Sequence, residues 1–347
     1  MTDPSVVLRE EEVRSARAGA PARRGRRGAG RWWLPAAVAV LALALFLGVM
    51  IGPAGSWGSA SWNIVWNVRM PRVVLAGVVG AMLSLAGASY QGVFRNPLVD
   101  PYLLGVAAGA GLGATIVFAA GRSATSGWPV DPLPAVAFAG GLAAVLLTYL
   151  VGASFGAARN GVTLVLAGVA VTSLATAIQA FVLQRNNDVI REVYTWILGR
   201  LTTASWADVR LVTPYVVASS VVLLLHRRHL DVLRVGDDEA AALGTNVARV
   251  RIVVVIAATM GTAAVVSVSG LIGFVGIVVP HAVRLLAGAS YRRLLPLSLL
   301  VGAAFLILAD IPGRVLQDPA ETPIGVVTAF FGAPFFIVVL RTRRTPS

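Results

Sequence analysis

Two residue types are missing from this chain, and each absence closes off a chemistry. Cysteine is absent from all 347 residues, which excludes disulfides, thiolate metal sites and redox chemistry through sulfur. Lysine is absent as well, so all 29 basic side chains are arginine. Without lysine the chain cannot carry a standard Walker A phosphate loop, and any ATP that powers it is bound by another polypeptide. Charge is sparse, at 13% of residues, and there are three histidines.

Apolar residues supply 57% of the chain, beyond the share expected of a soluble domain. The charges fall between apolar runs, as in a chain whose spans satisfy their own backbone as helices. The fold class read from this is an all-α polytopic membrane protein. Against the roughly 20 residues needed to cross a bilayer, about ten transmembrane helices are predicted, near 33–52, 70–92, 102–120, 132–153, 161–183, 208–225, 250–269, 271–289, 294–311 and 323–340. Gly270 and Gly273 would permit a tight turn between the seventh and eighth; one long or broken helix is the rival reading.

An even number of spans puts both termini on one side. With the N-terminus inside, 21 arginines fall on inner segments and 8 on outer ones, so the positive-inside rule places both termini in the cytoplasm of a multi-pass cell-membrane protein. Residues 1–31 read as a disordered Arg-rich cytoplasmic arm, with no cleavable signal, and 32–347 as the transmembrane domain. The net charge of +13 is mainly topogenic and calls for membrane lipids, not nucleic acid, as neighbours.

Two hydrophilic stretches stand out. The inner loop 226–251 contains a short predicted helix: Gly236 enters it, Asp237, Asp238 and Glu239 fill a first turn that favours negative charge, and Gly244 ends it. With Ala240 and Leu243 it suits a docking surface for a cytoplasmic partner. The outer stretch 188–200 is too short and charged to span; it reads as an interfacial helix with Trp196 and Trp206 as interfacial aromatics.

The segment "SYQGVFRNPLVDP", Ser89 to Pro101, interrupts two apolar runs. Pro97 and Pro101 each remove a backbone donor and disfavour helix at Asn96 and Asp100, so the second span must stop there. Broken helices in transporters border the transport route. Small residues from Gly105 to Ala114, with Gly77 and Gly80, predict closely packed helices. Gly87 to Pro97 and Gly270 to Pro280 hint at an inverted repeat.

The runs 69–114, 164–174, "SGLIGFVGIVVPHAVRLLAG" (269–288) and 308–340 resemble, in order and spacing, the FecCD-type permeases, membrane subunits of ABC importers for iron siderophores, haem and cobalamin. The resemblance implies the type II ABC importer permease fold, with ten spans per subunit. It also implies a second permease subunit, identical or a paralogue, with the path between the two. The other implied partners are a cytoplasmic ABC ATPase dimer that uses ATP and Mg, and an extracytoplasmic substrate-binding protein. The chain itself would be no enzyme and would bind no cofactor.

Matched positions assign docking of the binding protein to Arg69, Arg72 and Arg314, taken as exposed on the outer face. A gate falls on Asn96, Pro97 and Leu98, and a second constriction on Asn160, Gly161 and Val162, where this sequence departs from its relatives. Coupling to the ATPase falls on Gly236, Asp237, Asp238, Glu239, Ala240, Leu243 and Gly244.

The remaining polar residues are read individually. His281 and Arg284 share a helix face and are expected to cap or to meet the coupling loop; no histidine belongs to a metal constellation. Asp310 is expected to pair with Arg314, four residues on. Gln91 and Gln179 either line the path or bond to a neighbouring helix. The expected cargo is an iron-siderophore-type chelate, with cobalamin or haem as alternatives. An ion-coupled secondary transporter is the reading from a different class; it would need ionisable residues near midplane.

Overall fold

The computed structural model describes residues 32–52, 61–125, 131–154, 161–316 and 320–342. The arm assigned to 1–31, and Asn160, lie outside these. Thirteen helices are named here in chain order. The first seven are α1 Trp33–Met50, α2 Met70–Val93, α3 Val106–Thr125, α4 Pro132–Ser154, α5 Gly161–Arg185, α6 Ile190–Ile197 and α7 Trp206–Leu225. The others are α8 Arg227–Leu233, α9 Asp237–Ala242, α10 Val247–Ser269, α11 Val275–Ala287, α12 Tyr291–Val315 and α13 Ile324–Thr342. Among the described residues there is no strand.

Among the described residues seven helices are long and apolar enough to cross a membrane, and three shorter apolar ones, Val106–Gly121, Val275–Ala287 and Ile324–Val339, bring the number to the ten predicted spans. α2 lies at the centre, buried along nearly its whole length, and packs against α12, α10, α11 and α7. Its closest crossings depend on glycine. A Cβ on Gly80 would lie 2.2 Å from the Gly302 carbonyl oxygen of α12, and one on Gly87 would lie 2.1 Å from that of Gly276 in α11. Gly109 and Gly140 do the same for α3 and α4, at 2.3 Å. The close approach expected of the small residues is present at each crossing.

Two interruptions of this bundle are close together. α2 ends at Val93, three residues before the stop assigned to Asn96, because Arg95 takes the left-handed conformation (φ 50°). Side chains then turn the chain: Asn96 Oδ1 accepts from Leu98 N at 3.0 Å, and Asp100 Oδ1 from Tyr102 N at 2.8 Å. The second interruption follows α10. Gly270 (φ 68°) ends that helix, and α11 starts only at Val275.

The predicted span 271–289 is therefore corrected: it opens in non-helical backbone, and the rival single helix is excluded. Its helical part has 13 residues, about 20 Å long, against the roughly 30 Å of hydrocarbon. Backbone of this kind is tolerated where protein buries it or a cavity borders it. The second left-handed residue of this turn is Phe274 (φ 68°), not Gly273. α13 accommodates it through Gly332, where a Cβ would lie 2.4 Å from that of Phe274.

The interfacial helix assigned to 188–200 is α6, preceded by a 3-10 turn over Asn187–Val189. Trp196 departs from its expected place in the headgroups. It is 1% exposed and packs with Ala110, Ala137 and Val266, because only one face of α6 is apolar and that face turns inward. Trp206 donates its Nε1–H to the Trp66 carbonyl at 2.9 Å.

Candidate functional site

At the end of the bundle where α2 begins, two arginines meet two carboxylates and a third joins them on the end of α1. Arg72, in the first turn of α2, forks onto Asp310 of α12, with Nε 2.8 Å from Oδ2 and Nη2 2.9 Å from Oδ1. Its Nη1 lies 2.7 Å from Glu321 Oε2. Asp310 also accepts from Arg314 Nε at 2.6 Å, the pairing expected from their spacing. Arg314 Nη1 reaches the Gly48 carbonyl at 2.8 Å, while Arg69 Nη1 reaches those of Val49 and Met50 at 3.2 and 3.3 Å. These carbonyls belong to the last turn of α1, which has no basic residue of its own. Arg69 and Arg314 supply the donors and positive charge that a helix C-terminus favours.

The exposure expected of these arginines is corrected: Arg69, Arg72 and Arg314 are 4%, 7% and 1% exposed. Carboxylates and carbonyls of the same chain satisfy them, so their burial leaves no naked charge.

Toward the opposite end the first interruption packs against α11 and the loop 226–251. Gln91 of α2 donates to the Gly276 carbonyl of α11 at 3.0 Å and to that of Val99 at 3.3 Å, and it accepts from Arg284 of α11. Tyr102 Oη donates to the Ile272 carbonyl and accepts from Ile272 N, both at 3.0 Å, bridging the first interruption to the second. Burial pushes the Asp100 carboxyl up to about 6, against the hydrogen bond from Tyr102 N.

The loop helix α9 forms as predicted, entered by Gly236 (φ 140°) and followed by Gly244 (φ 81°). Asp237 lies 3.4 Å from Arg95 of the first interruption and 3.1 Å from Arg251 of α10. Ala240 is the buried residue of α9, while Asp238, Glu239 and Leu243 are exposed, as is Val235 just before it.

This pairing of a central broken helix with a loop helix tied to the break is found in a chain whose residues 35–342 match the sequence model of the FecCD transport family. The chain belongs to that family. It is 42% identical over 284 residues to the cobalamin import system permease protein BtuC of Halobacterium salinarum, covering 81% of this chain and 74% of that one. It is 37% identical over 300 residues to the hemin transport system permease protein HmuU of Yersinia pestis, covering 84% and 87%.

A solved structure described as an inward-facing conformation of a metal-chelate type ABC transporter superposes with a TM-score of 0.80 at 30% identity, covering 89% of this chain and 98% of that one. This chain is thus a FecCD-family permease, and its helices form the permease fold of metal-chelate type ABC transporters.

The other assigned residues of the FecCD permease fall as follows. Asn96 is exposed beside the left-handed Arg95, and Pro97 and Leu98 are half-buried. Gly161 opens α5, and Val162 is exposed. Gln91 and Gln179 both bond to neighbouring helices, Gln179 through Thr115 of α3 at 3.0 Å. His281 packs the edge of its ring on Phe335 of α13, with ring centroids 5.8 Å apart. The rings of His226 and His229 lie 5.5 Å apart, tilted by 40°, at the junction of α7 and α8. Among the described residues no group of three or more His, Asp or Glu could hold a metal ion.

Three contributors were not found from the sequence. Glu321 is the second acid of the arginine cluster. Tyr102 joins the two interruptions. Asp231 of α8 caps α12, accepting from Tyr291 N at 2.7 Å, Ser290 Oγ at 2.8 Å and Arg292 N at 3.3 Å. For Asp231 a signal existed: "GASYRR" opens a span with no acid of its own to face its exposed N–H groups.

Proposed function

We propose that this chain is the permease subunit of an ATP-driven importer that passes an iron-siderophore-type chelate, received from a substrate-binding protein, between itself and a second permease subunit. The observation that carries the reading is Asp237, set between Arg95 at the α2 break and Arg251 of α10. A partner ATPase seated on exposed Leu243 and Val235 would move α9, and the shared carboxylate would carry that movement to the break as packed helices rearrange nearly rigidly. Asn96, Pro97 and Leu98 then close the path at that end, and Gly161 and Val162 border it at the start of α5. ATP and Mg belong to the ATPase, consistent with the lack of any lysine here.

The metal crosses already wrapped in its chelator in this reading. Both termini lie in the cytoplasm in this reading, so α9 faces the ATPase and the Arg72 cluster faces the binding protein. With their guanidinium groups buried, Arg69, Arg72 and Arg314 contribute to docking by fixing the ends of α1, α2 and α12 that form the outer face. A secondary transporter is disfavoured because Asp310, an acid within a predicted span, is committed to Arg72 and Arg314.

The test is Asp237→Ala, reconstituted with the ATPase and binding protein. ATP hydrolysis persists while uptake per ATP falls several-fold. Unchanged uptake per ATP would remove Asp237 from the coupling route. Comparing ferric siderophore, haem and cobalamin in the same vesicles assigns the cargo.

A further inference from the structure

At the end of the bundle that carries α9 is a cavity of about 270 Å³ whose lining is cationic. Arg95 enters from the first interruption, Arg234 from the end of α8 and Arg284 from the last turn of α11, with Gln91 and Tyr291 between them. None of the residues that line it is a carboxylate.

The acids nearby are already shared. Asp237, 3.4 Å from Arg95, also holds Arg251 at 3.1 Å. Asp231, 3.8 Å from Arg234, spends its oxygens on Ser290 and the first N–H groups of α12. Arg284 donates to the Gln91 side-chain oxygen and bonds Tyr291. Three planar forks on three separate elements thus converge on a cavity whose lining supplies no carboxylate, and the acids beside Arg95 and Arg234 are each shared with other partners. The ligand chemistry that completes such an arrangement is a compact anion with several acceptor oxygens.

The apolar surroundings indicate its source. Leu285 and Leu286, next to Arg284 in sequence, are large side chains left exposed. A basic pocket between transmembrane helices, beside apolar surface, matches an anionic lipid whose headgroup enters while its chains lie outside.

We propose that this pocket binds a phosphate-bearing anion, supplied by the headgroup of an anionic phospholipid. Bound there, it joins the break after α2, the end of α8 and α11 at one point, and so stabilises the arrangement in which the loop and the break are locked. The site is independent of which chelate is carried, and its test needs neither ATPase nor cargo.

The full chain, purified in detergent, is titrated with phosphatidylglycerol, with phosphatidylcholine and with inorganic phosphate, and bound lipid is counted by native mass spectrometry alongside thermal unfolding. Arg95→Gln/Arg234→Gln is compared with Arg228→Gln/Arg293→Gln, which removes the same charge from arginines that do not line the cavity. Wild type retains phosphatidylglycerol over phosphatidylcholine. The pocket variant loses that retention roughly ten-fold or more, the control keeps it, and Arg95→Lys/Arg234→Lys recovers part of it.

Stabilisation by inorganic phosphate alone, lost in the same pocket variant, supports the phosphate site with the free anion as its source. Equal retention by wild type and pocket variant, or equal loss in pocket and control variants, overturns the proposal.

Discussion

Replacing Asp310 by alanine tests whether the arginine cluster is an internal structural device. Asp310 is 2% exposed and receives three charge-assisted hydrogen bonds, two from Arg72 at 2.8 and 2.9 Å and one from Arg314 at 2.6 Å. After truncation Arg72 keeps Glu321, but Arg314, 1% exposed, keeps only carbonyls of the α1 terminus, at 2.8 Å from Gly48 and 3.5 Å from Ile51. A buried cation stripped of its acid costs about 3–5 kcal/mol, whereas an exposed pair is worth at most about 1 kcal/mol.

Burial decides between these values, so Asp310→Ala is expected to lose about 3–5 kcal/mol of unfolding free energy. It should also loosen α1, seen as faster amide exchange in its last turn. Glu321→Gln, at a side chain 23% exposed, is expected to lose only about 1 kcal/mol. The assay is unfolding of the purified chain in bicelles by titration with a denaturing detergent. Equal, small losses from both variants would refute the reasoning and return these arginines to a solvated face. Charge reversal at Arg314 should unfold this end of the bundle as well, so a transport defect from that change alone would not report docking.

Three further outcomes follow from the geometry. Gly87→Ala drives a methyl to within 2.1 Å of the Gly276 backbone and should cost about 1–3 kcal/mol. Gly77→Ala meets only the end of Ile307 at 3.3 Å and should be neutral or gain up to about 1 kcal/mol from helix propensity; thermal unfolding separates the two. Asp231→Ala removes the cap of α12 and should cost about 0.5–2 kcal/mol, with faster amide exchange at Tyr291 and Arg292 and no change at Gly48. Tyr102→Phe leaves both polar groups of Ile272 without their hydroxyl partner. It should cost about 1–3 kcal/mol and appear first as lost protection at Ile272.

Much of this fold was legible because it depends on local chemistry. Apolar runs placed the ten helices, Gly236 and Gly244 bounded α9, and the prolines after Gln91 marked the first break, although the left-handed Arg95 ended α2 earlier than proline alone required. Hydropathy could not see that the segment after Gly270 stays non-helical, since "LIGFVGIVV" is apolar in either conformation and the outcome turns on φ at Phe274, held by Gly332 from α13.

The site was less legible. The sequence showed charge on Arg69, Arg72 and Arg314 but not its surroundings, because the groups that bury them are α1 carbonyls some 20 or 265 positions away and acids near 240 positions from Arg72. Tyr102 went unnoticed for the same reason: its partners, the two backbone groups of Ile272, are distant in sequence and leave no mark on composition.

The most direct measurement of the central claim is chelate uptake into proteoliposomes that hold this chain with an ATPase and a binding protein, energised by ATP or by an ion gradient. Uptake that requires ATP, the ATPase and the binding protein together is what the account predicts. Uptake driven by the ion gradient with no ATPase present would contradict it.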